Sequence, residues 1–134
     1  MVATIGVISV GLTLPATGTA NASTAYKQYT WNKSMRAGDC WMYGGAKWTL
    51  YPNGTAEFDA RVFSTSDDDA WLMWAHLKDE NGAVLDEIRV AGSTSTKFVK
   101  NIPVEVRTYR WFAKGRFDPS LYPLIKGMSL SNHC

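Results

Sequence analysis

Apolar and polar side chains alternate most clearly over Ala46–Phe63, AKWTLYPNGTAEFDARVF. Trp48 and Leu50 alternate with Lys47, Thr49 and Tyr51. Beyond Pro52-Asn53-Gly54, Ala56, Phe58, Ala60 and Val62 take one phase, and Glu57, Asp59 and Arg61 take the other. A period of two predicts strands with one buried and one wet face. Pro presets φ and Asn-Gly tolerates positive φ, so the pair reads as a β-hairpin.

Ala70–Lys78, AWLMWAHLK, puts Trp71, Met73, Ala75 and Leu77 on one face and Leu72, Trp74 and His76 on the other. A strand apolar on both faces is expected to be central or to have its second face covered. Asp79-Glu80-Asn81-Gly82 predicts a second hairpin turn, with Ala83–Val90 returning and Val84, Ile88 and Val90 sharing a face. Ser23–Lys33 alternates Tyr29 and Trp31 with polar residues, as a first edge strand would. Ser34–Gly45 reads as irregular and Ser64–Asp69 as a polar loop. Lys97–Asn101 is a short strand stopped by Pro103. Val104–Phe112 sets Val104, Val106 and Thr108 against Glu105, Arg107, Tyr109 and Trp111. Asp118-Pro119 suits a turn, and Leu124–Asn132 a closing strand. About eight short strands, frequent turns and no long amphipathic helix predict a single all-β domain, an antiparallel β-sandwich or a small flattened barrel.

Met1–Ala22 stands apart. It carries no charged side chain, is apolar over Val2–Leu14 and ends in Ala20-Asn21-Ala22, a small-x-small cleavage pattern. It is too short for a spanning helix, which needs ~20 apolar residues. The expectation is a signal peptide over 1–22, a secreted domain over 23–134, and no membrane span once the leader is removed. A leader normally begins with Lys or Arg, which this one lacks. Cys40 and Cys134 fit an exported chain, where a bridge persists. Paired, they staple the last residue to the start of the domain. Unpaired, they are two thiols or part of a metal site, although His76 and His133 complete no zinc spacing.

The net charge of +2 is too small to point to nucleic acid or an anionic membrane. Gly-rich phosphate loops, HExxH and nucleophile elbows are absent from the sequence. His76 lies within a strand and His133 beside the terminal Cys. Glu57 and Asp59 share a wet strand face at ~7 Å, a spacing glycosidase carboxylates use, but alternating charge on a solvent face is the commoner case. Asp67-Asp68-Asp69 reads as a solvated acidic loop, since consecutive aspartates cannot all turn to one Ca²⁺. No cofactor, metal site or catalytic residue is assigned.

Six tryptophans are more than the core of so small a domain absorbs. Trp41 and Tyr43, in a Gly-flanked segment beside Cys40, are candidates for stacking on sugar rings or anchoring a protein. The second candidate is the basic segment Arg107, Arg110, Lys114 and Arg116 interleaved with Tyr109, Trp111 and Phe112, an anionic-partner face, although a solvated strand face is the commoner case. From these, Trp41, Tyr43, Arg107, Tyr109, Arg110 and Trp111 are the expected binding residues. Asn21-Ala22-Ser23 and Asn53-Gly54-Thr55 match the glycosylation pattern, but Asn53 already has its turn to explain it and Asn21 would leave with the leader.

The segments WNKSMRAGDC (Trp31–Cys40), WTLYPNGTAEF (Trp48–Phe58), WLMWAHLK (Trp71–Lys78), RWFAK (Arg110–Lys114) and MSLSNHC (Met128–Cys134) together resemble a family of small secreted actinobacterial proteins of unknown function. The resemblance implies export and brings no catalytic residues with it. Similar small secreted proteins include adaptor subunits of antibacterial toxin particles. The expected function is a secreted, non-catalytic binding module, a protein-binding adaptor or inhibitor. Polysaccharide binding through exposed Trp and Tyr is the alternative, and a small secreted hydrolase a minor one.

Overall fold

The computed structural model describes residues 25–134. Among them run eleven strands: β1 (Lys27–Trp31), β2 (Met35–Ala37), β3 (Cys40–Met42), β4 (Ala46–Leu50), β5 (Thr55–Ser64), β6 (Asp69–Lys78), β7 (Val84–Glu87), β8 (Arg89–Val90), β9 (Phe98–Ile102), β10 (Tyr109–Arg116) and β11 (Gly127–His133). A 3-10 turn at Pro119–Leu124 is capped by Asp118, whose carboxylate accepts the Ser120 N–H. The expected leader at 1–22, its cleavage site and Asn21 lie outside the described residues.

The strands pair antiparallel in two sheets. The first runs β1-β4-β5-β10-β8, with the β2-β3 hairpin attached to β5; the second runs β11-β6-β7, with β9 also on β6. Neither closes on itself, so the architecture is the sandwich and not the barrel. Two ten-residue strands organise it. One edge of β5 is followed by β10, while its other edge takes β4 and then β3 end to end. β6 repeats this arrangement, with β11 along one edge and β7 and β9 in tandem along the other.

The period-two pattern explains the core directly. Ala56, Phe58, Ala60 and Val62 of β5 face Trp71, Met73, Ala75 and Leu77 of β6, and all eight are buried. Aromatic rings link the layers. Trp48 lies 5.1 Å from Phe58 and 5.3 Å from Phe98, Phe58 lies 5.4 Å from Trp111, and Trp111 lies 6.5 Å from Trp71. Trp71 Nε1 donates to the Trp41 carbonyl at 3.1 Å, tying the second sheet to β3 of the first. Cys40 of β3 and Cys134, just beyond β11, form a disulfide with Cα atoms 5.8 Å apart. In the Asn53-Gly54 turn, Gly54 has φ +88° and a Cβ there would sit 2.6 Å from the Phe117 carbonyl oxygen, so glycine is required.

Four expectations need correction. There are eleven strands, not about eight, because Ser34–Gly45 is no irregular segment. Asp39 and Gly38, with φ +56°, turn β2 back onto β3. Ala83–Val90 is not one strand either: β7 pairs in the second sheet, Ile88 buries at the corner, and β8 pairs with β10 in the first. Gly115 permits that corner, since a Cβ there would lie 2.5 Å from Ile88 Cγ2. Finally, Val104–Phe112 is extended only from Tyr109. Before it Val106 takes φ +62°, stands 71% exposed and donates its N–H to the Ser64 carbonyl, so the segment from Val104 bends round the end of β5.

At the opposite end, Lys27 Nζ donates to the Tyr122 and Ile125 carbonyls at 2.6 and 2.7 Å and lies 4.5 Å from the Tyr122 ring centre. Burial, helped by Lys126, lowers its pKa from 10.5 to about 8. A neutral amine still has two N–H groups for the two carbonyls. Burial also raises Tyr29 and Tyr122 from 10.0 to about 12. Between about pH 8 and 10.5 the unfolded chain holds the extra Lys27 proton, so stability rises with pH. Above about pH 10 the folded chain retains the tyrosine protons and stability falls. Denaturant titrations across this range are expected to show an alkaline maximum, and Lys27→Met to lose the rising limb while keeping the falling one.

Candidate binding face

Residues directly opposite in an antiparallel pair share a face. The registers therefore define the outward face of the first sheet. Trp41 pairs with Phe63 and Arg36 with Trp41. Arg61 pairs with Arg110, Asp59 with Phe112 and Lys47, and Glu57 with Lys114 and Thr49. The period that buries Phe58 and Val62 obliges Glu57, Asp59, Arg61 and Phe63 to point out.

At the β3 end the side chains form a row. The Arg36 guanidinium lies 5.0 Å from the Trp41 ring centre. Trp41 and Phe63 are nearly parallel, 6.1 Å apart and inclined by 4°, and Phe63 is followed by Tyr43 at 5.4 Å. Tyr43 Oη lies 3.4 Å from Thr108 Oγ1, bringing the loop that carries exposed Arg107 to this end. Tyr43 follows β3 at the break before β4. There Gly44 passes so close to Asn32 that a Cβ would come 2.3 Å from its carbonyl oxygen. Tyr43 is 43% exposed, Phe112 47%. Arg110 grips Asp59 with two hydrogen bonds, Nε–Oδ1 at 3.0 Å and Nη2–Oδ2 at 2.9 Å, and its guanidinium lies 5.3 Å from the Phe112 ring centre. The hydrogen bond from Arg110 holds the Asp59 carboxyl below its ordinary pKa.

The six expected binding residues therefore divide. Trp41, Tyr43 and Arg110 meet on this face, and Arg107 stands exposed on the loop beside it. Trp111 does not: it is 3% exposed, inward-facing, and packs on Phe58 and Trp71. Tyr109 also turns inward and is half-buried, with Lys100 Nζ 5.9 Å from its ring centre. Sequence reasoning read Arg110 and Trp111 as neighbours on one surface, although period two sends them to opposite sides. It missed Phe63 and Arg36, whose signals were Phe63's phase with Arg61 and the hidden β2-β3 pairing.

A family model described as a family of unknown function, DUF6294, matches residues 47–134. The chain belongs to this family. The DUF6294 match starts within β4 and takes in β5–β11, hence Phe63, Arg110, Phe112 and Cys134; Arg36, Cys40, Trp41 and Tyr43 precede it. No curated protein and no solved structure matches the chain.

Elsewhere in this DUF6294 chain, the outward face of the second sheet carries Leu72, Trp74, Val99 and a polar row across β7, β6 and β11. His76 Nε2 lies 2.8 Å from Ser131 Oγ, and His76 Nδ1 lies 3.7 Å from Glu87 Oε2. The three loop aspartates serve the fold. Asp67 accepts the Glu105 N–H at 2.8 Å, Asp68 takes φ +57°, and Asp69 accepts from the buried Ser64 hydroxyl. Asp69 also lies near Cys40 and Cys134, but sulfurs bonded to each other are not thiolate ligands. Asn53 Oδ1 accepts from the Thr55 backbone and hydroxyl at 3.0 and 2.7 Å, the turn role expected of it. Among the described residues no helix is long and apolar enough to cross a membrane.

Proposed function

We propose that this chain is a secreted, non-catalytic binding module. It engages an extracellular protein or polysaccharide through the outward face of the first sheet, in an adaptor or inhibitor role. The observation that carries this reading is the row Arg36–Trp41–Phe63–Tyr43. These large side chains stack in fixed positions on the solvent side of a sheet whose core is already filled, so they add contact surface held ready before a partner arrives. The disulfide and the leader-like 1–22 segment support export. Intact mass of protein collected from the medium is expected to equal residues 23–134 less two hydrogens. Affinity capture from culture supernatant is expected to retain a partner with the wild-type chain and lose it with Tyr43→Ala and Phe63→Ala. Retention that ignores both substitutions would sink the assignment of this face.

A hydrolase reading has one observation in its favour, the Glu87–His76–Ser131 row. The 3.7 Å from His76 to Glu87 exceeds hydrogen-bond range, so the imidazole lacks the orienting partner such a site requires. Binding therefore ranks first, and a fluorophosphonate adduct on Ser131 would reverse the order.

A further inference from the structure

The charge on the proposed binding face is one-sided. Arg36, Lys47, Arg61, Arg110, Lys114 and Arg116 point outward from the first sheet against only Glu57 and Asp59, a net +4 on a chain whose total is +2. At the far end Arg89 also joins this face, held by Asp86 at 3.4 Å. Two directly opposed cross-strand pairs are Arg–Arg: Arg61 with Arg110, and Arg89 with Arg116. Like charges placed opposite one another destabilise a sheet. Asp59 neutralises Arg110, but among the described residues Lys47, Arg61, Lys114 and Arg116 make no ion pair.

The cations are also laid out in a line. Arg110, Phe112, Lys114 and Arg116 project from alternate positions of β10, roughly 7 Å apart along the strand. The track thus runs for about 20 Å, with one exposed aromatic ring between its cations. A compact anion would use one position of such a track, and a neutral glycan would use only the rings.

We infer that the ligand of this face is an acidic polysaccharide, a chain of sugar rings bearing repeated carboxylate, sulfate or phosphate groups, lying along β10. Its anions meet Arg61, Lys114 and Arg116, and a sugar ring stacks on Phe112. The inference rests on the binding-module reading and narrows it to one ligand chemistry. Single-stranded nucleic acid shares the pattern of stacking plus positive charge. The disulfide favours an extracellular polymer instead.

The test is titration of the purified full domain with polygalacturonate, neutral dextran, polyglutamate and an oligo-dT strand, at low and moderate salt. Polygalacturonate is expected to bind tightest and to weaken at least tenfold between 50 and 200 mM salt, as ion release dictates. Arg61→Gln should weaken binding severalfold and flatten the salt dependence. Phe112→Ala should weaken binding and leave the salt dependence unchanged. Dextran binding that is equal and salt-insensitive overturns the acidic assignment, and polyglutamate or oligo-dT binding as tight as polygalacturonate overturns the sugar. If no polymer binds while a captured protein still depends on Tyr43 and Phe63, the inference fails alone. If the captured partner ignores them too, the binding-face reading fails with it.

Discussion

Opening the Cys40–Cys134 bridge is expected to remove about 4–5 kcal/mol of stability in the chain-entropy model, for a sequence separation of 94. Domains of this size are stable by only about 5–15 kcal/mol, so the bridge accounts for about a quarter or more of the total and the reduced protein should unfold at a clearly lower denaturant midpoint. The bridge joins the β2-β3 hairpin of the first sheet to the end of β11 in the second; β11 is paired along its length with β6, but the hairpin is held by short ladders only. β2 and β3 have three residues each. Urea titration with and without reductant, alongside Cys40→Ala/Cys134→Ala, measures the effect. Alanine suits the buried Cys40 because it adds no polar atom. Loss of less than about 1 kcal/mol would mean that packing alone fixes the hairpin, against the expected role of the bridge.

The second large effect is expected at Trp71. Truncation to alanine empties a buried site between the sheets, at a cost of about 3–5 kcal/mol. It also leaves the Trp41 carbonyl without its Nε1 donor. Trp71→Phe separates the two contributions: it keeps most of the ring against Trp111 and deletes the hydrogen bond, whose loss is worth about 1–3 kcal/mol if the carbonyl then has no partner. Because that carbonyl belongs to β3, the phenylalanine variant should also loosen the backbone beneath Trp41. Amide exchange is expected to quicken at Trp41–Tyr43 before it changes in β10 or β11. Equal protection in both regions would count against coupling between the core and the stacked row.

The long alternating stretches were legible because burial writes itself into period two. Trp48, Phe58, Val62, Trp71 and Leu77 took the faces expected of them, and Glu57, Asp59 and Arg61 turned to solvent. The Asn53-Gly54 turn was legible from backbone chemistry alone. What the sequence hid were the short elements. β2, β3 and β8 have two or three residues each, too few to show a period; β3 and β8 exist because the long β5 and β10 supply their hydrogen bonds, and β2 because it folds back on β3. The break in the chain at Ile88 was invisible for the same reason: one apolar residue marks a corner, and nothing local distinguishes it from one within a strand. Two of the six expected binding residues failed on phase. Trp111 and Tyr109 looked accessible beside Arg110 and Arg107, yet the alternation that exposes Arg110 buries Trp111. The hairpin that presents Trp41 could not be inferred without its pairing to β5.

The end-to-end placement of β3 and β4 along β5 bears on how such a surface could diversify. Each short strand takes its register from the long one, not from the other, and the Tyr43–Gly45 connection between them is tied by its backbone: Tyr43 N–H donates to the Arg61 carbonyl, Gly45 N–H to the Trp31 carbonyl, and Gly44 has no room for a Cβ beside Asn32. Exchanging the exposed Tyr43 side chain for a shorter or longer one would change how far the connection reaches from the sheet, while its backbone and the pairings of Cys40–Met42 and Lys47–Leu50 stayed where they are set. The fold thus separates the residues that can vary from those that keep the ladder in step, and it does so at the edge of the surface proposed to meet the ligand.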